Sequence, residues 1–105
     1  MNIQQLEYII AVDTHRHFSK AAEASFVTQP TLSMMIQKLE DELGVKIFDR
    51  SQLPVQPTEI GKLIIDQARI AVAQVNQIKE IILEEKGVVK GVFRLGVIPT
   101  VSPYL

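Results

Sequence analysis

The sequence contains no cysteine and no tryptophan. Without cysteine the chain can form no disulfide, thiol nucleophile or cysteine-ligated zinc site, a usage that fits the cytoplasm. It has no run of 18 apolar residues, so no membrane-spanning helix is expected. Met-Asn-Ile-Gln-Gln-Leu-Glu at the start has neither the basic nor the apolar region of a signal peptide. An excess of positive charge is missing too. The formal net charge is −1, and residues 1–62 hold six basic against eight acidic side chains. Nucleic-acid binders usually show a basic balance, so such a function here requires positive charge placed locally. There is no nucleophile–base arrangement, glycine-rich phosphate loop or paired catalytic carboxylate. The sequence therefore argues against an enzyme, and no cofactor is expected. His15 and His17 stand two apart at a helix end with no matching carboxylate cluster. A closed metal site needs more ligands than that, so capping or packing suits them better and no metal is expected.

What is present is ordinary globular material, 47% hydrophobic over 105 residues, enough for one small domain and something extra. Its best-defined stretch runs from Thr28 to Gly44. Thr28 is an N-cap candidate, Pro30 falls in the first turn where a missing N–H costs little, and Gly44 suits a left-handed C-terminal position. Leu32, Ile36, Leu39 and Leu43 recur at spacings of 4, 3 and 4 and form one apolar stripe. Gln29, Thr31, Ser33, Gln37 and Lys38 occupy the other face. This is what a helix that reads the major groove needs, and also what a plain amphipathic surface helix shows.

Around it the chain divides readily. Residues 3–14, with Asn2 as cap and Ile3, Leu6, Ile9 and Ile10 as stripe, read as a first helix ended by Thr14-His15-Arg16-His17. Ser19 can cap a short second helix, Lys20 to Ala24, whose Ala21-Ala22 pair permits a close crossing. In the short connection that follows, Phe26 and Val27 are expected to turn inward. Three helices with a tight turn between the second and third fit helix-turn-helix geometry. Val45 to Phe48 is strand-like, Asp49 to Gln52 is a turn, and Leu53-Pro54-Val55-Gln56-Pro57 is an extended edge, giving a small hairpin or wing. Arg50 at its root is the best phosphate or minor-groove contact in the region, against the alternative of an exposed pair with Asp49. The acidic cluster Glu40-Asp41-Glu42 is expected to point away from phosphate.

Thr58 and Glu59 open the longest helix, expected to end near Lys86 with Gly87 as its stop. Ile64, Ala68, Ala71, Val75, Ile78 and Ile82 recur at 4, 3, 4, 3 and 4, an a/d seam of nearly three heptads. A second stripe, Ile60, Leu63, Ile70 and Ile81, widens the apolar face. The spacing favours dimerisation over an intramolecular bundle. Gly87 to Gly91 reads as a hinge, and residues 92–105 as a strand without neighbours. That strand is expected to be disordered or to borrow a partner, as at the front of a longer protein.

In register, His-Arg-His-Phe, Ala-Ala, Thr-Gln-Pro-Thr-Leu-Ser, Ile-Gln-Lys-Leu-Glu-Asp-Glu-Leu-Gly, Phe-Asp-Arg and Pro-Thr-Glu-Ile-Gly resemble the DNA-binding region of LysR-type transcriptional regulators. Leu-Glu-Tyr, Leu-Glu-Asp-Glu-Leu-Gly-Val and the tail Leu-Gly-Val-Ile-Pro-Thr-Val-Ser-Pro-Tyr-Leu look most like a peroxide-responsive branch of that family. The resemblance implies a mainly α fold, a winged helix-turn-helix followed by a long dimerisation (linker) helix. It implies a DNA-binding domain over 1–58, a linker helix over 59–86, and a hinge with the first strand of an effector domain over 87–105. It also implies double-stranded DNA as partner, a homodimer through the linker helix, a tetramer of the full-length protein, and no membrane.

Carried over by position, Gln29, Pro30, Thr31 and Ser33 face bases or phosphates, Thr28 lies on the backbone, and Arg50 reaches the minor groove. Gln29 is the strongest base reader, since an amide pairs bidentately with adenine. Met34, Gln37, Lys38, Ser19 and Lys20 complete the candidate set, and Arg16, Lys46 and Lys62 add nearby charge. Met34 and Met35 depart from the long polar residues common there. A methionine could pack on a thymine methyl or turn into the core; the core or a neutral role suits Met35 better, and Met34 stays open. Leu53 and Pro54 leave the wing poor in charge, which should flatten the salt dependence of binding. The alternatives are a LysR-type regulator of a small-molecule effector and a helical protein–protein module.

Overall fold

The computed structural model describes residues 1–88. The elements run α1 (Ile3–His15), α2 (Phe18–Ala24), α3 (Gln29–Leu43), β1 (Phe48–Asp49), β2 (Gln56–Pro57) and α4 (Glu59–Val88). The chain forms two units, Met1–Val72 and Ala73–Leu105. Of the expected hinge, Gly87 and Val88 belong to α4; residues 89–91 and the strand expected over 92–105 lie outside the described residues.

Each helix of the first unit starts and stops for a local reason. Asn2 and Gln5 form a reciprocal capping box on α1, and Arg16 ends that helix in the left-handed conformation. α2 starts one residue before the expected serine. Phe18 is its first residue and His17 its N-cap, with no side-chain cap bond. Ser19 is therefore not the cap; its Oγ lies 2.9 Å from His17 Nδ1. On α3, Thr28 accepts from the Thr31 amide, Pro30 sits in the first turn, and Gly44 closes the helix at φ 74°. Thr58 Oγ1 accepts from the Gly61 amide at 3.0 Å and opens α4. Gly87 does not stop α4, which continues to Val88.

One core joins α1, α2, α3, the wing and residues 65–68 of α4. Ile9, Val12, Leu32, Ile36, Leu39, Ile47 and Ile65 are buried in it, as are Ala21 and Ala22 of α2. Such burial is worth roughly 1.5–3 kcal/mol for each large aliphatic side chain. Leu43, expected in the α3 stripe, is exposed at the far end instead. Phe26 departs further. It is 93% exposed at φ 59°, because the left-handed turn into α3 aims its ring away from the core, while Val27 packs inward.

The wing is a two-stranded antiparallel sheet pairing Phe48 with Pro57 and Asp49 with Gln56. Val45 and Lys46 stay outside the strand. The Ile47 carbonyl accepts from Thr58 N–H and faces Gly61. A Cβ at Gly61 would lie 2.0 Å from that oxygen, so only glycine allows wing and α4 to approach this closely.

Within the first unit the inner side of α4 is occupied by the chain itself. Ala68 is buried, and Ile64, Ala71 and Val72 pack against the core. Ile60, Leu63 and Ile70 are exposed there, as are Ile78, Ile81, Ile82 and Leu83 in the second unit. No helix among the described residues is long and apolar enough to cross a membrane.

Candidate nucleic-acid interface

At the amino end of α3, capping, exposure and a neighbouring concavity coincide. Thr28 Oγ1 donates to Thr31 Oγ1 at 2.9 Å while accepting from the Thr31 amide, so both hydroxyls are fixed in the first turn. Gln29, Pro30, Thr31, Met34, Gln37 and Lys38 are exposed, and Ser33 is half-buried. Between Gln29 and Gln37 no residue carries a charge. A concavity of about 250 Å³ opens beside this end, lined by His17, Phe18, Ser19, Gln29, Ser33, Arg50, Leu53 and Val55. It brings the start of α2, the first turns of α3 and the wing to one surface. Ser19 is therefore at the site, and exposed Lys20 stands next to it in sequence.

Arg50 binds these parts together. Its guanidinium donates to Ser33 Oγ at 3.0 Å, lies 3.6 Å from Glu40 Oε1, and sits 4.6 Å above the Phe18 ring. Phe18 in turn meets Phe48 edge to face. The expected alternative pair with Asp49 does not form. Asp49 instead accepts from the Ser51 hydroxyl and amide, and those bonds, the hydroxyl first, hold its carboxyl below the ordinary value. Arg50 thus orders α2, α3 and the wing while its side chain stays 39% exposed.

Glu40, at this site, stands where the sequence did not place it. The acidic cluster does not point away as a unit. The Glu40 carboxylate is buried and accepts from the Ile47 amide at 2.7 Å and the Phe48 amide at 3.4 Å. Ionic hydrogen bonds of this kind fix a loop strongly. The only signal for it in the sequence was a carboxylate one turn before the helix-ending glycine, with the wing immediately following. Arg16, counted with the local positive charge, is also engaged: it pairs with Asp13 and donates to Gln56 on the wing. Lys20, Lys38, Lys46 and Lys62 are exposed. Among the described residues no cluster of metal-ligating side chains occurs.

A sequence family described as bacterial regulatory helix-turn-helix protein, lysR family, matches residues 3–62. The chain belongs to the LysR family. Its relatives include the DNA-binding transcriptional dual regulator OxyR of Escherichia coli K12, 47% identical over 105 residues, all of this chain and 34% of that protein. The hydrogen peroxide-inducible genes activator of Haemophilus influenzae is 44% identical, again over all of this chain and over 35% of its own length. The chain thus spans about a third of the curated relatives it matches. Among solved structures, full-length OxyR from Pseudomonas aeruginosa superposes with a TM-score of 0.78 and 42% identity, covering 83% of this chain and 30% of that one. The DNA-binding domain of BenM in complex with benA site 1 DNA gives 0.78 at 32% identity, covering 82% and 97%. The expected winged helix-turn-helix with a linker helix is thereby shared with LysR structures.

Proposed function

We propose that this chain is the DNA-reading and dimer-forming part of a transcriptional regulator of hydrogen-peroxide-inducible genes. The observation that carries the reading is the capped, exposed and uncharged amino end of α3, set beside the wing with Arg50 between them. Gln29, Pro30, Thr31 and Ser33 enter the major groove, Gln37 and Lys38 follow along it, and Thr28, Ser19 and Lys20 meet the backbone. Arg50 positions Ser33 and offers its exposed edge to the minor groove beside the wing. The likeness to OxyR proteins along the whole chain supports the peroxide-inducible genes as targets.

The test is a titration of the chain against specific and random duplexes at several salt concentrations. Gln29→Ala should lose ~1–3 kcal/mol of discrimination between the two while keeping most of its affinity for random DNA. Equal discrimination by parent and variant would overturn the placement of the reading surface.

The dimer forms through α4. Ala68 already serves the chain's own core, so the partner meets the exposed apolar residues instead: Ile60, Leu63 and Ile70 in the first unit, and Ile78 and Ile82, with half-buried Val75, in the second. The full-length protein assembles further into a tetramer, which needs contacts besides this pairing. Ile78→Glu should sediment as a monomer at micromolar concentration, where the parent sediments as a dimer. A dimeric variant would move the seam elsewhere.

A further inference from the structure

We infer that Met34 reads the 5-methyl group of a thymine in the major groove; this rests on the DNA-reading role of α3. Three observations carry it. Met34 is 51% exposed, while Leu32 and Ile36 on either side are fully buried and Met35 packs against the core. Met34 therefore does not serve the interior, although an unbranched thioether could readily have done so. It stands one turn after Pro30 and three residues before Gln37, so Pro30 and Met34 form a short apolar stripe flanked by amides on the outward face of α3.

The chemistry of that face selects the ligand. Guanine is read mainly by arginine or lysine and cytosine by a carboxylate; residues 29–37 contain none of these, and the first such side chain, Lys38, stands one turn beyond Met34. An amide suits adenine, and an apolar group suits the one apolar group that a base presents in the major groove, the thymine methyl. Gln29 or Gln37 and Met34 thus match the two edges of A·T pairs. A flexible, polarizable side chain can follow the methyl where a branched one would need a fixed register.

The experiment isolates that methyl. A duplex recovered by selection from a random-sequence pool is synthesised with each thymine replaced in turn by uracil, which keeps every hydrogen-bonding group and removes only the methyl. The parent chain should bind about fourfold more weakly when the contacted thymine of a half-site is replaced, the loss set by one unburied methyl group. Met34→Ala should show no further loss at that position, and Met34→Leu, apolar but branched, should retain part of the uracil penalty. Two results would overturn the inference: no uracil-sensitive position for the parent, or the same uracil penalty in Met34→Ala. If Gln29→Ala loses discrimination but uracil is tolerated throughout, only the role of Met34 falls. If the parent does not distinguish selected from random duplexes, the DNA-reading role falls with it.

Discussion

The two ends of α3 are built for opposite purposes. At the carboxyl end, the buried Glu40 carboxylate gathers the Ile47 and Phe48 amides, Arg50 closes over it, and Gly44 and Val45 donate to the Glu40 carbonyl. At the amino end, beyond the Thr28–Thr31 cap, Gln29 and Gln37 are exposed and can meet a ligand, while half-buried Ser33 accepts from Arg50. The difference shows how a short helix can be both rigid and available. Its polar energy is concentrated at one end, its apolar stripe holds the middle, and the other end is left unsatisfied by the protein. Preorganisation of this kind lowers the entropy lost when a partner binds.

The largest break in this contrast should come from Glu40→Ala. It removes the acceptor from two buried amides and the counter-charge from Arg50, and should cost about 3 kcal/mol of stability in urea unfolding. Gln29→Ala, at the open end, should change stability by less than about 0.5 kcal/mol in the same measurement. If the two variants lost similar stability, the division of labour along α3 would be wrong. Glu40→Ala also frees Arg50 and with it Ser33. Any loss of DNA discrimination in that variant beyond the fraction unfolded would show that the anchored end sets the geometry of the reading end.

What could be read from the sequence follows the range of the forces involved. The α3 caps were legible because Thr28, Pro30 and Gly44 act within a few residues of themselves. Leu32, Ile36 and Leu39 were legible because helical periodicity places them on one face. Glu40 was not, because its partners are backbone amides beyond Gly44, and backbone groups leave no mark in the sequence. The α4 seam was only half legible. Heptad spacing identifies an apolar face but not its occupant, and α4 has two such stripes. The one through Ala68 is covered by the chain's own core, while Ile60, Leu63 and Ile70 stay exposed. Leu43 failed for a related reason: periodicity continues to the helix end, but the core stops a turn earlier.

Phe26 offers a small and counterintuitive test, because apolar character alone placed it inside and the backbone puts it outside. At φ 59° the turn before Thr28 requires the left-handed region, which costs a residue with a Cβ about 1–2 kcal/mol. Its ring is 93% exposed and so contributes almost no burial in return. Asparagine tolerates the same conformation and bonds its local backbone. Phe26→Asn should therefore stabilise the chain by about 0.5–1 kcal/mol, raising the urea midpoint with the slope of the transition unchanged. The cap bonds at Thr28 lie just after this residue, so a relaxed turn should leave the amino end of α3 as ordered as before. A loss of stability would mean that the Phe26 ring finds a contact in solution, and the open end of α3 would then be less free than its exposure indicates.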